Sequence, residues 1–151
     1  MTRTHAFRAL FAGLLVLGAA ACGDDSSSAD TTAAVADSAG GSATSAVKVA
    51  PADGAALIDS MGAELTIIDV RTPEEFAAGH LDGAVNYDIE GGQFSALIAD
   101  LPTDGAYIVY CHSGRRSAIA AQTMIDAGFT TVYDLGGIVD WQAAGLPVVT
   151  G

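Results

Sequence analysis

Residues 106–127, AYIVYCHSGRRSAIAAQTMIDA, decide both the fold of this chain and the place of its chemistry. The apolar, β-type run 106–110 leads into Cys111-His112-Ser113-Gly114-Arg115-Arg116, and a helix-like run follows at residues 117–127. A cysteine between a strand and a helix faces backbone N–H groups and a helix N-terminus, which together favour an anion at its sulfur. The pattern therefore predicts that Cys111 is a thiolate and a nucleophile.

Outward from this stretch, short β-branched runs alternate with helical runs. Runs such as LTII at 65–68 and YIVY at 107–110 are apolar nearly throughout, as expected of strands that are buried on both faces. The alternation predicts an α/β fold, with a central parallel sheet flanked by helices. The predicted strand and helix pairs are 65–70 with 73–78, 84–86 with 93–100, 106–110 with 117–127, and 131–133 with 138–144, after an opening helix at 52–61.

The stretch Thr72-Pro73-Glu74-Glu75 carries the signals of a helix start. Thr72 can cap the helix, Pro73 suits its first position and Glu75 completes a capping box. The two neighbouring carboxylates are therefore assigned to the helix N-terminus rather than to acid–base catalysis.

Cys111 stands at the carboxyl end of a predicted strand, which is where ligands gather in open α/β sheets. Tyr110, Phe129 and Trp141 are predicted to be core residues rather than cofactor-binding ones. The sequence has no glycine fingerprint for a dinucleotide and no P-loop. It has no CxxC pair, and its histidines are scattered at positions 5, 80 and 112, so neither a cofactor nor a metal ion is predicted.

The charge balance excludes nucleic acid as a partner. The formal net charge is −12, and beyond the first residues only Lys48, Arg71, Arg115 and Arg116 are cationic, against 18 acids. Phosphate binding demands a basic face, which this composition does not supply. Two of the four cations lie beside Cys111, which favours a small anionic ligand there; a solvated arginine pair is the alternative.

The N-terminus has the features of an export signal, predicted at residues 1–21. Arg3 and Arg8 precede an apolar run at 9–21, which is shorter than the roughly 20 residues of a membrane-spanning helix. Its end, LGAAAC at 17–22, resembles the lipobox of bacterial lipoproteins. That resemblance implies a lipid on Cys22 and a protein anchored to the cell membrane, facing outward or in the periplasm. Cleavage near Ala21 to give a secreted protein is the alternative.

Residues 22–46 are predicted to be a flexible, low-complexity tether, because Ala, Ser, Thr, Gly and Asp cannot bury enough apolar surface to fold. One compact domain is predicted at residues 47–151. If Cys22 is acylated, Cys111 is a free thiol without an intramolecular partner. The glycine and charged residues around Cys111 argue against its burial, with a buried inert cysteine as the alternative.

Four motifs, taken in order, resemble those of single-domain rhodaneses, the thiosulfate sulfurtransferases. The likeness extends over about residues 47–149, and it implies a rhodanese-like domain. The motifs are IDVR at 68–71, EFAAGHLDGAVN at 75–86, YCHSGRRS at 110–117 and GGIVDW at 136–141.

The resemblance implies that Cys111 is the catalytic residue and that His112, Ser113, Gly114, Arg115 and Arg116 form the substrate-binding loop around it. It implies a double displacement without a cofactor. The thiolate takes the outer sulfur of thiosulfate or a related donor, sulfite leaves, and the cysteine persulfide gives its sulfur to cyanide or a thiol acceptor. Either Arg115 or Arg116 attracts the anionic donor.

The same motifs assign supporting roles near the site. Asp69, Arg71 and Ser117 are expected to support the loop. His80 is expected to fix a turn rather than to move a proton, and His112 either tunes the site or points to solvent.

Three other functions remain open at this stage. A phosphatase or arsenate reductase shares the fold and the thiolate, but its pattern places five residues between cysteine and arginine, whereas four residues separate Cys111 from Arg116 here. A non-catalytic rhodanese-like module would bind a partner protein. A persulfide carrier would pass sulfur between partners and turn over thiosulfate slowly.

Overall fold

The computed structural model describes residues 45–151. The predicted signal at 1–21, Cys22 and nearly all of the predicted tether at 22–46 lie outside these residues. In the described part of the chain, no helix is long and apolar enough to cross a membrane.

Five parallel strands form one sheet in the order β1-β5-β4-β2-β3, with helices between successive strands. This confirms the predicted α/β fold with a central parallel sheet. The elements are β1 Val47–Lys48, α1 Pro51–Met61, a 3₁₀ turn Gly62–Glu64, β2 Leu65–Asp69, α2 Pro73–Ala78, β3 Val85–Asn86, α3 Phe94–Ala99, β4 Ala106–Cys111, α4 Arg115–Asp126, β5 Thr131–Gly137 and α5 Ile138–Ala143.

Strand β4 lies at the centre of the sheet and is covered on both faces. Because side chains alternate along a strand, Ile108 and Tyr110 point into one apolar cluster, whereas Tyr107, Val109 and Cys111 point into the other. The first cluster contains residues of α1 and α5, and the second contains residues of α3 and α4. The predicted core positions of Tyr110, Phe129 and Trp141 are confirmed.

Helix α2 begins as the sequence indicates. The Thr72 hydroxyl accepts a hydrogen bond from the backbone N–H of Glu75, and the Glu75 carboxylate accepts one from the backbone N–H of Thr72. Pro73 occupies the first helical position. The capping box is therefore confirmed, and it fixes the position of Glu75 near the cysteine loop.

Strand β5 differs from the prediction, which ended it at residue 133. It continues to Gly137, and its pairing with β4 shifts register after Val109, so that Leu135 has no partner in the ladder. Gly136 and Gly137 belong to this extension, and a glycine serves a strand where another backbone approaches closely. The added length brings Gly137 beside Cys111.

Candidate active site

Cys111 ends β4, forms no disulfide within residues 45–151, and has only 1% of its surface exposed. The expectation that its neighbours would keep it from being buried is wrong. The reason is structural: α4 packs on β4 and β5, residues 112 and 113 lie against β5, and Gly114 bonds back to the sulfur. We call residues 111–116 the cysteine loop.

The loop turns at Gly114, whose φ of 95° lies in the left-handed region that favours glycine. This turn points the backbone N–H of Gly114 at the Cys111 sulfur, with a distance of 3.1 Å from N to Sγ. Helix α4 begins at the next residue, two residues earlier than predicted, so the positive end of its dipole also lies at the sulfur.

Two opposing effects act on the pKa of Cys111. Burial raises it, whereas hydrogen bonds from the backbone of Ser117, Gly114 and Ser113 lower it. The hydrogen bonds prevail, so the pKa of Cys111 lies below that of an ordinary thiol. The structure thus places this sulfur in surroundings that stabilise its anion, as the sequence indicated.

This shift predicts how alkylation of Cys111 depends on pH. Because the thiolate is the reacting form, the rate of modification by iodoacetamide rises through a midpoint below that of the denatured chain. Peptide mapping distinguishes Cys111 from Cys22. A midpoint equal to or above that of the denatured protein contradicts the prediction.

The lowered pKa also stabilises the fold at pH values above the unfolded pKa, and this contribution is lost as pH falls through the folded pKa.

Ser117 supports the loop through a carboxylate that sequence reasoning missed. Its buried hydroxyl donates to Asp134 Oδ1 at 2.7 Å, and the same oxygen of Asp134 accepts from the backbone N–H of Gly136 at 3.0 Å. Lys48 Nζ lies 3.1 Å from Asp134 Oδ2. An acid between apolar residues of β5 was the available signal, but the predicted strand ended one residue before it.

Gly137 lets the cysteine loop lie directly against β5. An ideal Cβ built on Gly137 would lie 2.6 Å from the carbonyl oxygen of His112 and 2.8 Å from Cα of Ser113. Both are backbone atoms, so no side-chain rotation relieves the overlap. The second glycine of the fourth motif is thus required by the close approach of two backbones, whereas the first, Gly136, has a φ of 85° in the left-handed region that favours glycine.

Asp69 and Arg71 form a buried ion pair at the end of β2. The Arg71 guanidinium donates to both Asp69 oxygens, at 2.6 to 3.0 Å, and to the carbonyl of Gly79 at 2.6 Å. Burial lowers the pKa of Arg71, but the hydrogen bond and negative charge of Asp69 outweigh this effect. The pKa of Arg71 therefore lies above the ordinary value for arginine. The pair holds the segments after β2 and α2 together and makes no hydrogen bond to the cysteine loop.

Arg116 is engaged by two carboxylates. Its Nη1 and Nη2 contact Glu75 Oε2 and Oε1 at 2.8 and 2.9 Å, and Nη1 also lies 2.7 Å from Glu90 Oε2. The hydrogen bond from Arg116 lowers the pKa of Glu75. Arg115 is exposed, and within the described residues it makes no ion pair. The two neighbouring arginines, equivalent in the sequence, thus differ in their surroundings.

A cavity of about 190 Å³, here called the loop cavity, adjoins the cysteine loop. His112, whose side chain is 59% exposed, lies at its edge with Nδ1 4.0 Å from Glu75 Oε1. The exposed Ser113 is not among the lining residues. The cavity is lined by Arg71, Glu75, Ala78, Gly79, His112, Ile138, Gln142 and Val148.

His80 contacts α2 and the C-terminal residues. Its ring stacks on Phe76 at 3.8 Å between centroids, and its Nδ1 lies 3.0 Å from the Phe76 carbonyl oxygen. Its backbone forms an antiparallel bridge with Val149. These contacts place His80 where the C-terminal residues meet α2.

Comparison with known proteins agrees with the motifs. The family model of the rhodanese-like domain matches residues 50–144. A sulfurtransferase from Allochromatium vinosum is 32% identical over 87 residues, which cover 57% of this chain and 79% of that protein. A thiosulfate sulfurtransferase from Pseudomonas putida is 35% identical over 78 residues, which cover 51% of this chain and 69% of that protein.

A solved structure shows the same fold. The crystal structure of a rhodanese-related protein from Thermoplasma volcanium has a TM-score of 0.61 and 30% identity to this chain, and the match covers 70% of this chain and 99% of that one. With the family model and the parallel sheet, this establishes that the chain belongs to the rhodanese-like domain family.

Proposed function

We propose that this protein is a sulfurtransferase that moves a sulfane sulfur from thiosulfate or a related donor to cyanide or a thiol acceptor. The observation that carries the proposal is the hydrogen bond from Gly114 N–H to a Cys111 sulfur whose pKa is lowered. The names of the two curated relatives support sulfur transfer at the level of the family.

In the first step the Cys111 thiolate attacks the outer sulfur of the donor. A new sulfur–sulfur bond forms, the old one breaks, and sulfite leaves with the bonding pair. The terminal sulfur of the resulting persulfide carries the negative charge. Amides of the cysteine loop, already directed at Sγ, are preorganised to stabilise that anion.

In the second step the acceptor attacks the terminal sulfur. When cyanide is the acceptor, thiocyanate is released and Cys111 returns to the thiolate. Atoms and charge therefore balance without a redox partner or cofactor. The low pKa of Cys111 makes its thiolate a good leaving group in this step. In the first step the same low pKa keeps the sulfur ionised and ready to attack the donor.

The placement of Arg116 favours sulfur transfer over phosphate hydrolysis. A thiolate phosphatase uses an arginine to hold the oxygens of the phosphate, whereas the Arg116 guanidinium is bound to Glu75 and Glu90. The cysteine loop is also one residue shorter than the phosphatase pattern, so it encloses less volume. A transferred sulfur atom needs less room than a tetrahedral phosphate.

The proposal includes export and anchoring. Residues 1–21 are proposed to act as the export signal, and Cys22 to carry a lipid that anchors the domain to the outward or periplasmic side of a bacterial cell membrane. A secreted protein is the alternative. Intact mass of protein from the native membrane tests this, because a lipid adds far more mass than any sulfur adduct.

Mass spectrometry also tests the chemistry. After treatment with thiosulfate and removal of the excess, the intact protein is expected to gain the mass of one sulfur atom on Cys111 and to lose it on addition of cyanide, with release of thiocyanate. Aryl phosphates are expected to stay intact. Absence of the adduct, or phosphate release that depends on Cys111, would overturn the proposal.

The two arginines of the loop are expected to give different mutants. Arg116→Ala removes a two-pronged contact and leaves Glu75 and Glu90 without their arginine partner, so the free energy of unfolding falls by about 1–2 kcal/mol. Arg115→Ala leaves stability within about 0.5 kcal/mol. The kcat/KM of Arg115→Ala for thiosulfate falls only about two- to threefold. The attraction between an exposed charge and an anionic donor is weak because dissolved salt screens it.

Urea unfolding and thiosulfate kinetics at low and high salt measure these effects. The reverse pattern, with stability lost in Arg115→Ala and unchanged in Arg116→Ala, would contradict the assignment.

A further inference from the structure

A second cavity, here called the α1–α5 cavity, lies on the face of the sheet opposite to the Cys111 side chain. Its volume is about 340 Å³, and it shares no lining residue with the loop cavity. Its apolar residues belong to the cluster that contains α1 and α5, whereas Cys111 points into the other cluster. The cavity is lined by Ala55, Ile58, Asp59, Leu81, Asp82, Trp141, Leu146 and Pro147.

We propose that the α1–α5 cavity binds a small organic cation with an apolar body, such as an arylalkylamine. The inference does not rest on the proposed sulfur transfer, because it uses no residue of the cysteine loop. It follows from three features of the cavity: an apolar lining of suitable size, an indole ring held in place, and two carboxylates without a neighbouring cation.

The lining is mainly apolar and comes from four segments of the chain. Ala55 and Ile58 lie on α1, Leu81 follows α2, Trp141 lies on α5, and Leu146 belongs to the C-terminal segment. Cavities of roughly 300 Å³ or more with an apolar lining and a few polar groups are typical of small-ligand sites. A phenyl ring with a short alkyl chain therefore gains free energy by leaving water for this cavity.

Hydrogen bonds hold the walls of the α1–α5 cavity in place. The indole Nε1–H of Trp141 donates to the carbonyl oxygen of Pro147 at 2.8 Å, and the backbone N–H of Leu146 donates to the carbonyl oxygen of Trp141 at 3.2 Å. Because the indole N–H is already used, the ring offers a ligand its π system rather than a hydrogen bond. The π system of an indole attracts a cation.

Two carboxylates give the cavity a negative charge. Asp59 follows Ala55 by four positions, so both lie on one face of α1, and Asp82 is the neighbour of Leu81. Both aspartates are exposed, and among residues 45–151 neither has an ion-pair partner. No basic residue lines the cavity. The net charge of −12 on the chain further favours a cationic ligand over an anionic one.

Phenylbutylamine, phenylbutanol and phenylbutyrate form a matched series for the test, because they share an apolar body and differ in the charge of the head group. Trp141 is the only tryptophan in the chain, so its fluorescence reports binding at this cavity. At low ionic strength the amine is expected to bind about three- to tenfold more tightly than the alcohol, and the carboxylate most weakly. Equal affinities, or no saturable change with the amine, would overturn the inference.

Asp59→Asn and Asp82→Asn test the electrostatic cause. Each is expected to weaken binding of phenylbutylamine by about two- to threefold and to leave binding of phenylbutanol unchanged. Asp126→Asn makes the same change in net charge on α4, which packs on the other face of the sheet, and is expected to leave both affinities unchanged. Equal effects of all three variants on the amine would contradict the proposal.

Ala55→Leu tests the location of the site. Its larger side chain occupies part of the cavity, so binding of the amine and of the alcohol is expected to fall at least about fivefold. Ala56→Leu is the matched control, since Ala56 is exposed on the same helix and does not line the cavity. Unchanged binding in Ala55→Leu would place the site elsewhere. Because Asp59 and Asp82 are exposed, their variants are expected to keep the fold and to decide the question even where Ala55→Leu is unstable.

Cys111→Ser separates this inference from the proposed function. The variant is expected to bind phenylbutylamine as tightly as the unchanged protein, because the cysteine loop does not line the α1–α5 cavity. Failure of sulfur transfer therefore leaves the cation site standing. Failure of the amine to bind overturns the cation site and leaves the proposed sulfur transfer untouched.

Discussion

Cys111→Ser is expected to lower sulfur transfer by at least about 1,000-fold, in keeping with the loss of an enzyme's nucleophile. A serine hydroxyl is not ionised at neutral pH, and the amides that stabilise a thiolate have no anion to act on. Steady-state thiocyanate release measures the loss. Intact mass after thiosulfate treatment is expected to show no sulfur adduct at this position.

The fold of Cys111→Ser is expected to remain intact, because the hydroxyl is close in size to the thiol and can use the same amide donor of Gly114. Ser113→Ala is the matched control, since it changes an exposed side chain of the same loop and leaves Cys111 in place. If Cys111→Ser keeps its transfer activity, another group is the nucleophile. If the variant loses transfer but keeps its biological role, the docking function is favoured instead.

Gly137→Ala is expected to cost about 1–3 kcal/mol of stability, the range seen when a methyl group is forced into a packed site. The new Cβ would overlap His112 O and Ser113 Cα, so either β5 or the cysteine loop must move. Because catalysis depends on amides placed to within about 0.5 Å, transfer activity is expected to fall at least about tenfold. Urea denaturation and thiocyanate release measure the two effects.

Gly91→Ala is the control for this prediction. Gly91 is exposed, and the nearest atom to its ideal Cβ is a side-chain oxygen of Asp88, at 3.2 Å. Gly91→Ala is expected to change the free energy of unfolding by no more than about 0.5 kcal/mol and to leave sulfur transfer unaffected. Equal behaviour of the two variants would show that the approach of the loop to β5 does not set the geometry of the site.

The features that could be predicted from sequence are those with local causes. The capping box at Thr72 depends on residues three positions apart, and the alternation of apolar runs with helical runs depends on neighbours within each segment. The position of Cys111 at a strand end follows from the same local pattern. Such signals survive folding because tertiary contacts reinforce them.

The features that sequence reasoning missed depend on contacts between distant parts of the chain. Arg116 and Glu75 are 41 positions apart, and Ser117 and Asp134 are 17 apart. Both arginines of the loop have the same residue type and follow the same turn, so nothing local distinguishes them. The positions of Glu75 and Glu90, which come from other parts of the chain, decide that Arg116 is the one bound.

The near-complete burial of Cys111 has a consequence for its fate between catalytic cycles. The cysteine of another folded protein cannot reach a sulfur that is 1% exposed, so the resting thiolate is shielded from cross-linking into covalent dimers. In the proposed mechanism the reactive atom of the loaded protein lies one sulfur–sulfur bond, about 2 Å, beyond Sγ. A sulfur-loaded Cys111 would therefore hold its reactive atom one bond length beyond the buried Sγ, whereas the unloaded thiolate stays out of reach of the cysteines of other proteins.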